Sequence, residues 1–151
     1  MATTTATITI ASSDISDNSI SVSNTATLLK AGISTGLDQT SGLRRRTLAS
    51  EDSVALIDLD HYQAQTLTEN KAAKVYIKNT GTSTANSVKV SIVSTSGNGA
   101  STEIGDLYGG DWMFFPYSAV WNATNSQSNQ DIIVKPSSAN AVTLEYIIIY
   151  E

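Results

Sequence analysis

The chain lacks cysteine entirely and contains only two prolines and one histidine among its 151 residues. Without cysteine it can form neither a disulfide framework nor a thiolate zinc site. A serine nucleophile would have His61 as its only histidine base. Nine basic residues stand against fourteen acidic ones, which gives a formal net charge of -5. This balance argues against a broad basic face, so we expect no nucleic-acid partner.

Long hydrophobic runs are also missing. The first residues show neither a basic start nor an unbroken apolar stretch of roughly 7–15 residues, so we expect no secretory signal. Apolar runs such as Ile147–Tyr150 are far shorter than the about 20 residues that span a bilayer. The sequence therefore predicts a soluble protein that is made in a cytoplasm and has no membrane partner.

Serine and threonine take the place of charge, with 40 such residues in the chain against 15% charged residues. Nineteen of the 40 lie in the first fifty residues, where there is no aromatic residue. A segment without aromatics does not make a dense core alone. We interpret residues 1–52 as an extended, β-rich N-terminal arm and residues 53–151 as a β-sandwich domain. The arm could pair with a neighbouring chain or complete the domain's own sheet, and both alternatives stay open.

Apolar and polar residues alternate along most of the chain, which is typical of half-buried strands. We expect 73–78 and 88–92 to pair as antiparallel neighbours, because turn-forming residues separate them. The last strand has one wholly apolar or aromatic face and belongs inside a sheet. A competing helix over Leu67–Lys74 is too short to stand without support. The pattern indicates an all-β, antiparallel sandwich or barrel, with strands near 6–10, 20–28, 54–59, 73–78, 88–92, 103–108, 112–115, 131–135 and 141–150.

Three consecutive arginines, Arg44, Arg45 and Arg46, stand near the end of the predicted arm. Guanidinium groups recognise carboxylates and phosphates well, so this triplet could dock on an acidic partner or on a nucleic-acid backbone. A charge run in a solvated linker is the more frequent explanation of such a pattern.

Motifs that carry chemistry are nearly absent. There is no Gly-x-Ser-x-Gly elbow, His-Glu-x-x-His motif, phosphate loop or dinucleotide fingerprint. Asp58, Asp60 and His61 could hold a divalent cation, although a solvated strand end is the commoner role for such residues. Asp106 and Asp111 flank a diglycine, where turn formation explains them better than glycosidase chemistry. We therefore expect no enzyme, catalytic residue, metal or cofactor.

Aromatic residues concentrate in one stretch, which contains both tryptophans and both phenylalanines of the chain. Such a cluster packs a core, forms an interface with another subunit or offers a platform for sugars. Alternation places Trp112 and Phe114 on one face and Met113 and Phe115 on the other, which favours a strand that is buried on both faces. The cluster consists of Tyr108, Trp112, Phe114, Phe115, Tyr117 and Trp121.

The run Ile104–Pro116, followed by 131–135 and a terminal strand over 142–151, resembles small virion structural proteins of tailed bacteriophages. The resemblance covers Ser53–Glu151. It implies a jelly-roll-like sandwich without catalytic residues, located in the virion, with major capsid protein or other virion proteins as partners. The implied function is that of an oligomeric capsid decoration or cement protein, which stabilises the shell by bridging major capsid subunits.

A tail adaptor or tail-associated structural protein would share these features, and a carbohydrate-binding receptor-recognition module is an alternative of another class. On the capsid hypothesis, the partner interface would combine apolar arm residues, the arginine triplet and the tryptophans. The candidate interface residues are Ile8, Ile10, Ile20, Val22, Arg44, Arg45, Arg46, Trp112 and Trp121.

Overall fold

The computed structural model describes residues 3–14, 19–29, 36–37, 39–50, 53–57, 72–94, 101–118, 130–137 and 139–150. Strands account for 70% of these residues, and none of them lies in a helix. The sequence-based prediction of an all-β protein is therefore confirmed. No helix in this part of the chain has the length and apolar character needed to cross a membrane.

The described part of the chain forms one separate hairpin and two larger antiparallel sheets. In chain order the strands are β1 (Thr5–Ser12), β2 (Ile20–Thr27), β3 (Gln39–Thr40), β4 (Arg44–Leu48), β5 (Val54–Ile57), β6 (Ala72–Asn79), β7 (Val88–Ser94), β8 (Ser101–Leu107), β9 (Trp112–Ser118), β10 (Gln130–Pro136) and β11 (Val142–Tyr150).

The two larger sheets have the connectivity of a jelly roll. One sheet has the order β5-β10-β7-β8, and the other places β6 between β9 and β11, with β3 and β4 on the far side of β11. Four antiparallel pairs are nested, because β4 pairs with β11, β5 with β10, β6 with β9 and β7 with β8. The chain is thus one long hairpin wound into two facing sheets, which confirms the predicted jelly-roll-like sandwich.

Alternation along the strands explains the core between these sheets. In β11 every second residue from Val142 to Ile148 is buried, while the intervening residues are only half-buried. Its place between β6 and the β3–β4 edge confirms the prediction of an internal strand. The buried core consists of Leu48, Leu56, Ala73, Val75, Ile77, Val88, Val90, Leu107, Tyr117, Ile132, Val134, Val142, Leu144, Tyr146 and Ile148.

The predicted pairing of 73–78 with 88–92 is wrong. These segments are β6 and β7, which lie in opposite sheets and have other neighbours on both sides. The connection over 80–87 is too long for a tight hairpin turn and crosses from one sheet to the other. Asn79 fixes the crossing, because its buried side-chain amide donates to the carbonyls of Asn86 and Leu107 at 3.1 and 3.0 Å.

Residues 39–48 lie in the sandwich. β3 and β4 follow one another along the same edge of β11, and the chain bends between them at Gly42, which has a φ of 69°. Leu48, the last residue of β4, is buried in the core and stands opposite Val142 of β11. Two strands of the segment 1–52 thus belong to the sandwich sheet, whereas β1 and β2 pair with each other.

The expectation that the strand at 112–115 is buried on both faces is wrong. Among the described strands, β9 lies at the edge of its sheet and has β6 as its one neighbour. Met113 and Phe115 pack against the core from its inner face. On the outer face, Trp112 is 51% exposed and Phe114 is half-buried. The two faces of β9 follow the alternation of the sequence, but alternation does not reveal whether a second layer covers the outer face.

Candidate functional site

The hairpin of β1 and β2 carries an apolar face. In its register Ile10 stands opposite Val22, Ile8 opposite Asn24 and Ile20 opposite Ser12. Opposed residues of an antiparallel pair project to the same side, so the four apolar candidates share one face. Ile10 and Val22 are 60% and 56% exposed, and Ile8 and Ile20 are each 39% exposed. We call the four residues Ile8, Ile10, Ile20 and Val22 the hairpin face.

Hydroxyl groups cover the other side of this hairpin. The Thr7 and Thr25 hydroxyls form a hydrogen bond at 2.8 Å, and those of Thr9 and Ser23 form one at 3.2 Å. These cross-strand pairs fix the register, which keeps the apolar residues together on the hairpin face. The abundance of serine and threonine in the first fifty residues therefore has a local structural role.

The root of the hairpin is tied down by its own small cluster. The Leu28 N–H donates to the Thr4 carbonyl at 2.9 Å, and the Leu37 N–H donates to the Leu28 carbonyl at 2.7 Å. The Thr4 hydroxyl returns a hydrogen bond to the Leu37 carbonyl at 3.2 Å. Both leucine side chains are buried, although neither belongs to the core of the sandwich.

Between this root and the outer face of the larger sheet lies an apolar groove of about 310 Å³. Its floor is formed where Tyr76 on β6 stands opposite Phe114 on β9, with Trp112 as the next outward residue of β9. The groove, which we call the aromatic groove, is lined by Thr5, Ala6, Thr7, Ile8, Leu28, Tyr76, Trp112, Phe114 and Ile149.

Two aromatic rings of the floor lie close together. The ring centroids of Tyr76 and Trp112 are 6.2 Å apart, with an angle of 36° between the ring planes. Burial raises the pKa of the Tyr76 phenol above its usual value, and the Glu145 carboxylate raises it further. Like any phenol near its usual pKa or above it, the Tyr76 side chain is protonated at neutral pH, and its hydroxyl can donate a hydrogen bond.

Positive charge flanks the aromatic floor. Lys74 and Lys78 lie on β6 two residues to either side of Tyr76, so the three side chains project to the same face. Within the described part of the chain, neither lysine takes part in an ion pair. The adjacent Glu145 is engaged by Arg45, whose Nε donates to its carboxylate at 2.6 Å.

The arginine triplet lies in β4, so its interpretation as a linker is wrong. Arg45 projects to the outer face with Glu145, its partner in the register. Because side chains alternate along a strand, those of Arg44 and Arg46 project to the opposite face of the sheet. The Nε of Arg44 donates to the Ser41 carbonyl at 3.2 Å, and Arg46 reaches the Ala55 carbonyl at 3.5 Å. The three charges therefore do not form one cationic patch on a single face.

The remaining candidates fall into two groups. Tyr117 is buried in the core, and Tyr108 is 49% exposed beside the diglycine turn. There the Asp111 carboxylate accepts a hydrogen bond from the Tyr108 N–H at 3.0 Å, as expected of a turn residue.

In the ranges that the structure describes, no group of acidic residues and histidines could hold a metal ion. Trp121, Asp58, Asp60 and His61 lie outside the described residues.

The sequence reasoning missed Tyr76, Ile149 and the two lysines as site residues. Alternation places Tyr76, Lys74 and Lys78 on the outward face of β6, and that signal was present in the sequence. Their proximity to Trp112 depends on the pairing of β6 with β9, which sequence alternation does not specify.

The buried Tyr117 should make stability sensitive to alkaline pH. Burial raises the pKa of its phenol above the usual range, and the Asp131 carboxylate adds to this shift. The phenol of the unfolded chain loses its proton near pH 10, while that of the native chain keeps it. The free energy of unfolding is therefore unaffected by this residue below pH 10 and declines as the pH rises above 10. We expect a slope of up to about 1.4 kcal/mol per pH unit from this residue.

Urea unfolding of the wild type and a Tyr117→Phe variant between pH 7 and pH 11 measures this effect. The variant should lose less stability than the wild type above pH 10. Tyr108→Phe is the matched control, because it removes the hydroxyl of an exposed tyrosine outside the core. Parallel declines for the wild type and Tyr117→Phe would contradict the assignment.

Comparisons with known proteins give one structural likeness. No family model matches the chain, and no curated protein matches it. The crystal structure of the Yersinia pseudotuberculosis-derived mitogen is similar, at 10% sequence identity and a TM-score of 0.43. The similarity covers 74% of this chain and 85% of the mitogen chain. At this TM-score we draw no functional argument from it.

Proposed function

We propose that the chain is a virion structural protein of a tailed bacteriophage, and that it decorates the capsid shell. The observation that supports this most is the hairpin face. More than half of the surface of Ile10 and Val22 is exposed on a separate two-stranded sheet. A monomer gains nothing from holding such side chains in water, whereas a docked arm buries them.

The body of the molecule is compatible with this role. Jelly-roll sandwiches form many viral capsid domains, although the same architecture also occurs in lectins. A two-stranded hairpin is only marginally stable by itself and gains stability against a partner surface. Each apolar side chain that becomes fully buried contributes about 1.5–3 kcal/mol.

Docking would work mechanically. The hairpin face packs against one major capsid subunit while the sandwich rests on a neighbouring subunit, so the contact bridges a seam of the shell. β1 and β2 pair only with each other among the described strands, so each has an edge that could add to a partner's sheet. Arg44 and Arg46, both exposed, are available to acidic groups of the shell.

The first test asks whether the protein is part of the particle. Mass spectrometry of gradient-purified virions of the phage that encodes the chain should detect it in many copies. Its absence from such particles would overturn the proposal. Electron microscopy then places the density, and a location on the tail would favour a tail adaptor or tail-associated protein.

The second test addresses the hairpin face. Val22→Asp and Ile10→Asp should each weaken binding to shells by about 30-fold or more, the effect of removing an interface hot spot. Ala11→Asp is the matched control, because this neighbour of Ile10 projects to the hydroxyl side of the same strand. Sedimentation of each purified variant with shells that lack the protein measures the affinity. Equal binding by Ile10→Asp and Ala11→Asp would show that this face is not the contact.

A further inference from the structure

We propose that the aromatic groove is a binding site for an acidic saccharide, such as a sugar chain that carries hexuronic or sialic acid. This proposal goes beyond shell decoration, since it concerns another class of ligand and a surface that shares only Ile8 with the hairpin face. The groove unites three features that such a ligand requires: an aromatic floor, a polar strand edge and flanking cations.

The floor suits the apolar face of a sugar ring. Tyr76, Trp112 and Phe114 come together on the outer face of β6 and β9, and half of Trp112 is exposed. Aromatic rings carry negative charge on their faces, which attracts the weakly positive C–H groups on one side of a pyranose ring. Across the groove from these rings lie Thr5–Ile8 of β1 and Leu28 at the hairpin root.

The wall of the groove supplies hydrogen-bonding groups. β1 contributes the four consecutive residues from Thr5 to Ile8. The side chains of consecutive residues point to opposite faces of a strand. Because all four residues line the groove, it is the edge of β1, and not one face of β1, that borders the groove. Its other edge is occupied by β2. Among the described strands none pairs with the edge of β1 that borders the groove, so its backbone groups can donate to and accept from sugar hydroxyls.

The positively charged residues beside the aromatic floor favour an acidic ligand. Lys74 and Lys78 flank Tyr76 on the same face, and Lys78 is the register partner of Trp112. The one acidic side chain of this face in the described strands, Glu145, already binds Arg45. Two positive charges therefore border the floor in a chain whose net charge is -5. A carboxylate on the stacked sugar would meet one of these ammonium groups.

Size favours a saccharide over an acidic peptide. A volume of about 310 Å³ lies at the lower end of the range for small-molecule sites, which is enough for one or two sugar rings. A peptide that adds to the β1 edge would extend beyond this volume along the strand. An acidic peptide is nevertheless a direct competitor and is included in the test.

Tryptophan fluorescence of a Trp121→Phe variant, in which Trp112 is the only tryptophan, reports on the groove. Titration with a glucuronic-acid disaccharide and with N-acetylneuraminic acid should give a saturable change, with a Kd in the millimolar range or below. A neutral glucose disaccharide and tetraglutamate should each bind about tenfold more weakly, which corresponds to about 1.4 kcal/mol.

Calorimetry of variants in the otherwise unchanged chain then locates the site. Trp112→Ala should weaken binding at least about tenfold, and Tyr108→Ala, which removes an equally exposed tyrosine outside the groove, should not. The double change Lys74→Ala and Lys78→Ala should also weaken binding about tenfold, whereas Lys89→Ala on the other sheet serves as its control.

Several results would overturn the proposal. These are the absence of saturable binding by either acidic sugar, equal affinity for the neutral sugar, preference for tetraglutamate, and binding that survives Trp112→Ala. Circular dichroism of every variant shows whether a loss of binding reflects loss of the fold. If Trp112→Ala unfolds the chain, Trp112→Phe with the lysine variants decides the outcome.

Discussion

Replacement of Asn79 by alanine is expected to lower the free energy of unfolding by about 3–5 kcal/mol. The Asn79 amide is fully buried at the end of β6 and makes three hydrogen bonds to backbone groups. It donates to the carbonyls of Asn86 and Leu107, and its oxygen accepts from the Gly81 N–H at 2.9 Å. Alanine would remove all three of these hydrogen bonds, and each buried group that loses its hydrogen bond costs about 1–3 kcal/mol.

The large effect follows from where the amide sits. Its partners belong to the connection between the two sheets, to the residues before β7 and to the end of β8. The Asn79 backbone adds two more links, because its N–H donates to the Asp111 carbonyl and its carbonyl accepts from the Gly110 N–H, both at 3.0 Å. One residue therefore joins both sheets at the place where the chain crosses between them.

Urea unfolding at neutral pH measures the prediction. Asn140→Ala is the matched control, because Asn140 is exposed and its amide bonds to the side chain of Asn86 at 3.1 Å. We expect this control to change stability by less than about 1 kcal/mol. Asn79→Asp, which keeps an acceptor but loses both donors and buries a charge, should be at least as harmful as the alanine change. A loss below about 1 kcal/mol for Asn79→Ala would contradict the structural role assigned to this amide.

The role of Asn79 also shows what the sequence could reveal. Asn79, Thr80 and Gly81 form a turn signal, and that signal correctly ended the strand. It suggested a hairpin because hairpin turns and sheet-crossing connections use the same residue types. The eight residues between β6 and β7 and the buried side chain of Asn79 determine the crossing. Neither the burial of this amide nor its partners can be read from local composition.

Alternation predicted strands such as β6 and β11 because one face of each is buried. It failed for β4, where three arginines hide the pattern although Arg45 and Leu48 occupy well-defined faces. Arginine is tolerated there because β4 is an edge strand, whose long side chains can reach water. The hairpin face was predictable from the spacing of its isoleucines and valine. The aromatic groove was not, since its residues come from strands that are distant in the sequence.

The largest expected effect on stability is that of deleting residues 1–50. Removal of residues 1–50 takes away β3 and β4, and with them the core residue Leu48 and the whole edge partner of β11. Loss of the Leu48 side chain alone is worth about 2–5 kcal/mol, and small domains are stable by only about 5–15 kcal/mol. The further loss of strand pairing should leave residues 51–151 unfolded or without a cooperative transition.

Removal of residues 1–27 should have a much smaller effect on the fold. It deletes the hairpin, whose strands have no other partner among the described strands, and it keeps the β3–β4 edge intact. Thermal unfolding followed by circular dichroism distinguishes the two fragments. The shorter deletion should melt cooperatively close to the full chain, and the longer one should not. Cooperative unfolding of residues 51–151 near the melting temperature of the full chain would contradict this prediction.

The same deletions separate folding from docking. A chain without residues 1–27 keeps all strands of the sandwich and should remain folded. Because it has lost the hairpin face, it should fail to bind shells. Loss of binding by the longer deletion would be uninformative, because an unfolded sandwich binds nothing. The shorter deletion also removes the β1 edge from the aromatic groove while it keeps Tyr76, Trp112 and both lysines. Binding of an acidic saccharide should therefore weaken but persist in this fragment, whereas shell binding should disappear.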